Sequence, residues 1–177
     1  MRVIAGDYRG RRLQAPPGAA TRPTSDRVRE AAFMLAGPVD GADVLDLFAG
    51  SGAMGLEALS RGAERATFVE GDARAAAVIQ KNLDKLRLTG ARIVRADATR
   101  ALAAEAAAGA KYDLVLVDPP YDSYDSLQPM LARYLPTLLA DDGIVLVETS
   151  KRMQPELPLE LVKSRTYGSA RVSVFAP

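Results

Sequence analysis

The sequence predicts an α/β protein with a mostly parallel, seven-stranded sheet that ends in an antiparallel C-terminal hairpin. From residue 44 onward, short apolar runs rich in β-favouring residues alternate with longer helical stretches. Runs that are apolar throughout and alternate with helices are typical of a parallel sheet covered on both faces. The last two runs flank a short turn at residues 167–169, which favours an antiparallel pair of strands.

Five strands of the parallel part are predicted to alternate with four helices. Pro119 and Pro120 must end the fourth strand, because proline cannot donate to a sheet ladder. The predicted strands are 44–48, 66–69, 92–95, Tyr112–Val117 and 144–147. The predicted helices are 52–61, 72–86, 99–108 and 127–135, and the strands of the C-terminal hairpin are 159–166 and 171–175.

The N-terminal part of the chain does not follow this alternation. Residues 1–14 are predicted as a small β-hairpin rich in arginine and glycine. Thr24, Ser25 or Asp26 then caps a helix that runs to about Leu35, because each has a side-chain oxygen that can accept a free N–H of the first turn. We therefore expect an extension, residues 1–37, and a larger domain, residues 38–177.

Composition limits the possible chemistry. A chain of 177 residues with 48% hydrophobic and 25% charged residues is typical of a globular domain. It contains no cysteine and no histidine, which excludes disulfides, thiolate metal sites and the most frequent general base. We expect no metal site, and catalysis must use carboxylates, backbone groups, aromatic rings and a cofactor. No apolar run approaches the roughly 18 residues of a membrane span, so we expect a cytoplasmic protein, assumed to be a monomer.

Positive charge is concentrated in the first 30 residues. They hold seven arginines and three acidic residues, a net charge of +4, whereas the remaining chain has a net charge of −3. Arginine can contact phosphate through two N–H groups and can stack on bases, which favours a nucleic-acid partner. A solvated surface would show the same composition, so charge alone leaves both interpretations open.

A glycine-rich loop follows the first strand of the predicted parallel sheet. Asp46 lies near the end of this strand, and Gly50, Gly52 and Gly55 match the pattern G-x-G-x-x-G that joins a strand to a helix. In this pattern the glycines allow a tight turn, close approach of a ligand to the backbone, and close packing of the helix on the strand. Glycine loops also connect strands and helices without binding a ligand, so the pattern alone does not establish a cofactor site.

Carboxylates stand at the ends of the next two strands. Glu70 lies 24 residues after Asp46 and could accept hydrogen bonds from both hydroxyls of an adenosine ribose. Asp97, with the backbone of Ala98, could bind the exocyclic amine of adenine. Each acid alone is compatible with a solvated side chain. Three acids at the ends of three successive strands, however, indicate the crevice where open α/β sheets bind ligands.

The run Asp118-Pro119-Pro120-Tyr121 ends the fourth strand and is the most discriminating motif. The exocyclic amine of guanine is weakly nucleophilic, because its lone pair is delocalised into the ring. The Asp118 carboxylate and the Pro119 carbonyl could accept its N–H groups and aim the lone pair at a methyl donor, while the prolines keep the backbone rigid. Tyr121 could stack on an extruded base. The alternative is a plain strand end followed by a turn.

The order of these motifs resembles a class I Rossmann-like methyltransferase that methylates amino groups. Three further segments resemble the ribosomal small-subunit methyltransferase D family (RsmD). This resemblance runs nearly end to end, and its motifs are densest in residues 1–150. The three segments are MRVIAGDYRGRRL at 1–13, TRPTSDRVREAAF at 21–33 and GLEALSRGA at 55–63.

The resemblance implies S-adenosylmethionine-dependent methylation of the N2 amine of guanine 966 in 16S rRNA, in the small ribosomal subunit or an assembly intermediate. The catalytic residues that it implies are Asp118, Pro119, Pro120 and Tyr121. The implied cofactor-binding residues are Asp46, Phe48, Gly50, Ser51, Gly52, Glu70, Gly71, Asp97, Ala98, Thr21, Arg22 and Thr24. The implied RNA-binding residues, in an N-terminal extension that would hold RNA, are Arg2, Arg9, Arg11, Arg12, Arg22 and Arg27.

Other functions share parts of this pattern. A nicotinamide dehydrogenase also uses G-x-G-x-x-G and a later acid, but it would need a substrate domain and usually a histidine. A methyltransferase acting on DNA adenine, another rRNA guanine or a protein glutamine amide would use a similar Pro-Pro-Tyr segment. The lack of a separate groove-reading element counts against sequence-specific DNA recognition. An RNA-binding module without catalysis would not bind the cofactor.

Overall fold

The computed structural model describes residues 1–17 and 25–177 and shows a seven-stranded sheet between two layers of helices. The helices are α1 (Asp26–Ala36), α2 (Ala53–Ser60), α3 (Ala73–Leu86), α4 (Ala98–Ala107) and α5 (Tyr124–Leu138). The strands are β1 (Asp43–Asp46), β2 (Arg65–Val69), β3 (Ala91–Val94), β4 (Tyr112–Val117), β5 (Leu139–Ser150), β6 (Glu160–Tyr167) and β7 (Ala170–Ala176). A 3-10 turn at Tyr121–Ser123 precedes α5.

The topology confirms the predicted α/β fold. The strand order is β3-β2-β1-β4-β5-β7-β6. Strands β1 to β5 are parallel, and β7 pairs antiparallel with both β5 and β6. Gly168 and Ser169 join β6 to β7, and Gly168 has a φ of 61°, a conformation that glycine adopts readily in such tight turns. Of the three residues predicted as possible caps of the first helix, Ser25 is the N-cap, and its side chain accepts the N–H of Val28.

Two elements exceed their predicted lengths by more than two residues. α5 begins at Tyr124 instead of residue 127, and β5 spans Leu139–Ser150 instead of 144–147. β5 is extended because it has partners on both sides. Its first residue, Leu139, pairs with Tyr112 of β4, and its last residue, Ser150, pairs with Ala170 of β7. The apolar pattern of a single strand does not reveal how far its neighbours pair with it.

Apolar side chains on the two faces of the sheet form separate clusters. On one face, Leu116 and Leu146 belong to the cluster formed with α1, α2 and α3. On the other face, Val115 and Val147 belong to the cluster formed with α4 and α5. Alternate residues of each central strand therefore point to opposite helical layers, which explains why these strands are apolar throughout.

The N-terminal segment is a loop closed by an isolated antiparallel bridge between Arg2 and Arg12. The predicted β-hairpin at residues 1–14 therefore has one bridge instead of two regular strands. The loop packs closely on α2: a Cβ added at Gly6 would lie 1.7 Å from the carbonyl oxygen of Ser60. It also contributes two buried side chains to the cluster of α1, α2 and α3, namely Val3 and Leu13. The segment thus shares a core with the sheet, and the division of the chain at residue 37 stays a prediction.

A buried carboxylate fastens this segment to α2. Glu57 is fully buried and accepts the backbone N–H groups of Ile4 at 2.7 Å and Ala5 at 3.0 Å. It also accepts from the guanidinium of Arg61 at 2.8 Å, and the fully buried Arg29 of α1 lies 3.7 Å away. Buried charges are costly unless they are paired and hydrogen-bonded, so this cluster requires α1, α2 and the N-terminal segment to dock together.

The Glu57→Ala variant should therefore lower the free energy of unfolding by about 3–5 kcal/mol, because it leaves Arg29 buried without this partner. Urea denaturation followed by circular dichroism measures the change. Glu64→Ala is the matched control, because Glu64 is exposed, and it should change stability by less than about 0.5 kcal/mol. Equal stabilities of the two variants would show that the Glu57 cluster does not hold the elements together.

Candidate active site

Backbone geometry and hydrogen bonds shape the glycine loop at the end of β1. Asp46 Oδ2 accepts the backbone N–H of Gly55 at 2.9 Å. Gly50 and Gly52 have φ values of 55° and 80°, and Gly52 is the N-cap of α2. Gly55 packs on β2, because a Cβ added there would lie 2.3 Å from the ring of Phe68. The loop thus has the tight turn and the close helix–strand packing that its glycine pattern predicts.

Asp46 is a buried carboxyl group whose pKa is raised to about 7. Burial is the main cause, because desolvation disfavours the charged form, and the hydrogen bond from Gly55 acts in the opposite direction. The negative charges of Asp118 and Glu70 raise this pKa further. The carboxylates that follow β2 and β4 therefore lie close enough to Asp46, at the end of β1, to influence its ionisation. A bound cation would favour the ionised form of Asp46.

Glu70 links the glycine loop to the start of α3. Its Oε2 accepts the N–H of Gly50 at 2.8 Å, and its Oε1 accepts the N–H of Asp72 at 2.8 Å. Each carboxylate oxygen has a second lone pair, so the half-buried side chain can accept further hydrogen bonds. Gly71, next to it, is exposed, and a Cβ there would lie 3.7 Å from the carbonyl oxygen of Ala96.

Asp97, which is predicted to bind adenine, has a structural role in the fold. Its Oδ1 accepts the backbone N–H groups of Thr99 at 2.9 Å and Arg100 at 3.3 Å, which makes it the N-cap of α4. Ala98 is the buried first residue of that helix. Both residues therefore lie at the same edge of the sheet as the glycine loop, next to the end of β3.

The other predicted cofactor residues are only partly described. Phe48 is half-buried and packs against the cluster of α4 and α5. Ser51 follows the first glycine of the loop, and its carbonyl oxygen accepts a hydrogen bond from Asn82 of α3 at 3.1 Å. Three of the predicted residues lie outside the described part of the chain: Thr21, Arg22 and Thr24.

The motif predicted to hold the target amine follows β4 directly. Asp118 is half-buried, Pro119 is buried and Pro120 is exposed. The carbonyl oxygen of Pro120 accepts the N–H of Ser123 at 2.9 Å and closes the 3-10 turn that Tyr121 opens. A strand end, two prolines and a hydrogen-bonded turn leave this backbone little conformational freedom. The stacking role of Tyr121 stays a prediction.

β5 contributes an acidic residue that the sequence analysis missed. Glu148 is 5% exposed and follows Val147, which is the partner of Val117 in β4. Because Asp118 follows Val117, Asp118 and Glu148 each lie one residue beyond this pair on adjacent parallel strands. A signal was present in the sequence, since Glu148 ends an apolar run as Glu70 does. It was missed because no further motif surrounds it.

The arginines of the N-terminal part differ in what they can contact. The exposed ones are Arg2, Arg9, Arg11, Arg12 and Arg27. Arg2 pairs with Asp26 at 3.2 Å, and Arg22 lies outside the described residues. Arg29 is fully buried and donates to the backbone carbonyl of Arg2. Arg29 therefore adds to the net charge of the segment without being able to contact a ligand at the surface.

Within residues 1–17 and 25–177, no cluster of three or more acidic side chains is arranged to hold a metal ion. None of the helices described in those ranges has both the length and the apolar character needed to cross a membrane.

Relatives with known names match most of the chain. The model of the family described as Conserved hypothetical protein 95 matches residues 1–176. YlbH of Bacillus subtilis (strain 168), provisionally named an rRNA methyltransferase, is 41% identical over 182 residues, covering 99% of this chain and 98% of YlbH. Ribosomal RNA small subunit methyltransferase D of Haemophilus influenzae is 34% identical over 173 residues, covering 95% of this chain and 89% of that protein.

Solved structures have the same fold. The Escherichia coli protein yhhF, provisionally named a methyltransferase, superposes with a TM-score of 0.83 at 35% identity, covering 99% of this chain and 96% of yhhF. SMU.776, a provisionally named methyltransferase solved with S-adenosylhomocysteine (SAH), has a TM-score of 0.68 at 17% identity, covering 85% of this chain and 48% of SMU.776. The second likeness concerns the fold alone. The chain has the class I methyltransferase fold and belongs to the ribosomal small-subunit methyltransferase D family.

Proposed function

We propose that this chain transfers a methyl group from S-adenosylmethionine to the N2 amine of guanine 966 in 16S rRNA, within the small ribosomal subunit or an assembly intermediate. The names of its relatives support rRNA as the substrate. The observation that carries the proposal is the convergence of Asp46, Glu70 and Asp118 beside the glycine loop. Such a group of anions suits a cationic cofactor on one side and an amine on the other.

The residues at the ends of β1, β2 and β3 fit the cofactor. S-adenosylmethionine supplies an electrophilic methyl group, whose departure from the sulfonium leaves a neutral thioether. Asp46 and the glycine loop would hold its methionine part, and Glu70 would hold its ribose. At Gly50 no atom of residues 1–17 and 25–177, apart from its chain neighbours, lies within 4 Å of where a Cβ would stand, so these parts of the chain leave room for a ligand against the backbone. Asp97 caps α4 through Oδ1, which leaves Oδ2 for the adenine amine.

Asp118 and Pro119 would position the target amine. The carboxylate of Asp118 and the carbonyl of Pro119 would each accept one N–H of the amine, which turns the nitrogen toward tetrahedral geometry. Its lone pair is then free to attack the methyl group. Asp118 stabilises the positive charge that develops on nitrogen as the N–C bond forms, and it can accept the proton that the nitrogen then releases.

The direct test uses small subunits that lack the modification, incubated with the protein and labelled S-adenosylmethionine. Mass mapping of the digested RNA should place the label on N2 of guanine 966. Label on another rRNA nucleotide would refute the target position while keeping rRNA as the substrate. Absence of label from all RNA would refute the proposed function. Calorimetry with S-adenosylmethionine and with NAD separates this function from that of a dehydrogenase.

Asp118→Ala should reduce the methyl-transfer rate at least about 100-fold, because both positioning and charge stabilisation of the amine are lost. The Kd for S-adenosylmethionine should stay within about twofold, since the cofactor is held mainly by other residues. Single-turnover assays and calorimetry measure the two quantities. Asp122→Ala is the control, because Asp122 is an exposed acid of the same loop and should leave the rate unchanged. Unchanged turnover in the Asp118 variant would refute its assigned role.

Cofactor affinity should increase as the pH rises through about 7. Asp46 is mostly protonated below its pKa of about 7, and only its ionised form attracts a cation. In the free protein Asp46 is ionised in about a tenth of the molecules at pH 6 and in about nine tenths at pH 8. The Kd for S-adenosylmethionine should therefore be roughly tenfold higher at pH 6 than at pH 8.

Calorimetry at the two pH values measures this difference. The Asp46→Asn variant should bind the cofactor more weakly and should lose this part of the pH dependence, because asparagine does not titrate. A wild-type Kd that is the same at pH 6 and pH 8 would show that Asp46 does not interact with the cationic part of the cofactor.

A further inference from the structure

Three exposed cations lie on β6 or directly after β5, near the edge of the sheet that carries Asp118. Lys151 and Arg152 directly follow β5, and Arg165 lies near the end of β6. We call these three residues the C-terminal basic rim. Strands β5 and β6 run in the same direction as β4, so these three strands end at the edge of the sheet that carries Asp118.

The strand order separates this rim from the cofactor residues. β5, β7 and β6 lie on one side of β4, whereas β1, β2 and β3 lie on the other. The glycine loop, Glu70 and Asp97 follow β1, β2 and β3, so they occupy the opposite side of Asp118 from the rim. A substrate that reaches Asp118 without crossing the cofactor residues would pass over the ends of β5 and β6.

The charges of the rim are not neutralised by neighbouring acids. In the described part of the chain, no ion pair includes any of the three rim residues. Two other arginines of the sheet are paired: Arg65 lies 2.6 Å from Asp43, and Arg92 lies 2.7 Å from Glu105. From residue 151 to the end, the chain has five cationic and two acidic side chains. The rim therefore presents an uncompensated positive charge, which attracts a polyanion.

Hydrogen bonds hold the rim in place. Arg171 of β7 donates to the carbonyl oxygen of Lys151 at 3.0 Å and to the hydroxyl of Ser164 at 3.1 Å. The backbone N–H of Lys151 donates to the carbonyl oxygen of Ser169 at 2.8 Å. The turn that carries Lys151 and Arg152 is thus tied to the β6–β7 hairpin. The backbone of this turn is therefore already ordered and loses little conformational entropy when the rim binds a partner.

We propose that the C-terminal basic rim binds phosphate groups of the RNA on the side of the target nucleotide away from Arg9, Arg11 and Arg12 of the N-terminal loop. This proposal rests on the proposed function, because it assumes that the base held at Asp118 belongs to an RNA. The N-terminal loop packs on α2, next to β1 and β2, whereas the rim lies at the ends of β5 and β6. Phosphate contacts on both sides of Asp118 would fix the position of the RNA strand in the site without recognising its base sequence.

The test is the double variant Lys151→Gln/Arg152→Gln, compared with the control Arg87→Gln/Arg133→Gln. The control removes two exposed arginines, one after α3 and one on α5, and therefore the same amount of charge. Binding of an unmodified 16S rRNA transcript is measured at several salt concentrations. The rim variant should bind about tenfold more weakly, with a log–log salt slope smaller by about 1.5, because two phosphate contacts to single-stranded RNA are lost.

The control variant should bind the transcript as the wild type does, within about twofold. The triple variant Arg9→Ala/Arg11→Ala/Arg12→Ala should also lower the slope, and combining it with the rim variant should lower the slope by the sum of the two changes. Urea denaturation checks that each variant is folded. Rim and control variants with the same Kd and slope would overturn the proposal.

Two further results separate the rim from the proposed function and from another partner. If the wild type binds the transcript through the rim but transfers no methyl group to it or to small subunits, the proposed function fails and the rim proposal is supported. If the rim variant binds the naked transcript normally but fails to bind assembled subunits, the rim contacts a ribosomal protein, and the RNA proposal is overturned.

Discussion

The buried carboxyl group of Asp46 is the constraint on which the site depends. Its hydrogen bond to the N–H of Gly55 holds the first turn of α2 against the end of β1, and this contact shapes the glycine loop. A neutral acceptor such as asparagine could make the same hydrogen bond without the cost of desolvating a charge. Burial and two neighbouring anions raise its pKa to about 7. The ionisable group at this position is thus better explained by a cationic ligand than by packing.

The parallel sheet then distributes the chemistry along one edge. β1, β2 and β3 end in the residues proposed for the cofactor, while β4 ends in Asp118 and β5 leads to Lys151 and Arg152. Because parallel strands all end at the same edge, groups far apart in the chain meet there. The N-terminal segment joins this arrangement through Glu57, which holds the N–H groups of Ile4 and Ala5. One sheet edge therefore serves cofactor, base and RNA in the proposed function.

Features that depend on local signals in the sequence were predicted correctly. The alternation of apolar strands and helices, the N-cap Ser25 and the hairpin turn at Gly168 all depend on residues close together in the chain, and the structure confirms them. The sequence counts Arg29 as one more positive charge, but the structure shows it buried near Glu57, 28 residues later. No local pattern distinguishes a buried arginine from an exposed one.

The order of strands and helices and the placement of acids at strand ends followed from the sequence, because strand and helix propensities and proline stops act over a few residues. Only the folded chain settled which groups share an environment. The raised pKa of Asp46 requires Asp118 and Glu70 to come near it, and the position of Glu148 beside Asp118 requires the register of β5 on β4. Burial, electrostatic coupling and strand register depend on contacts between residues distant in the chain, which no short segment of sequence encodes.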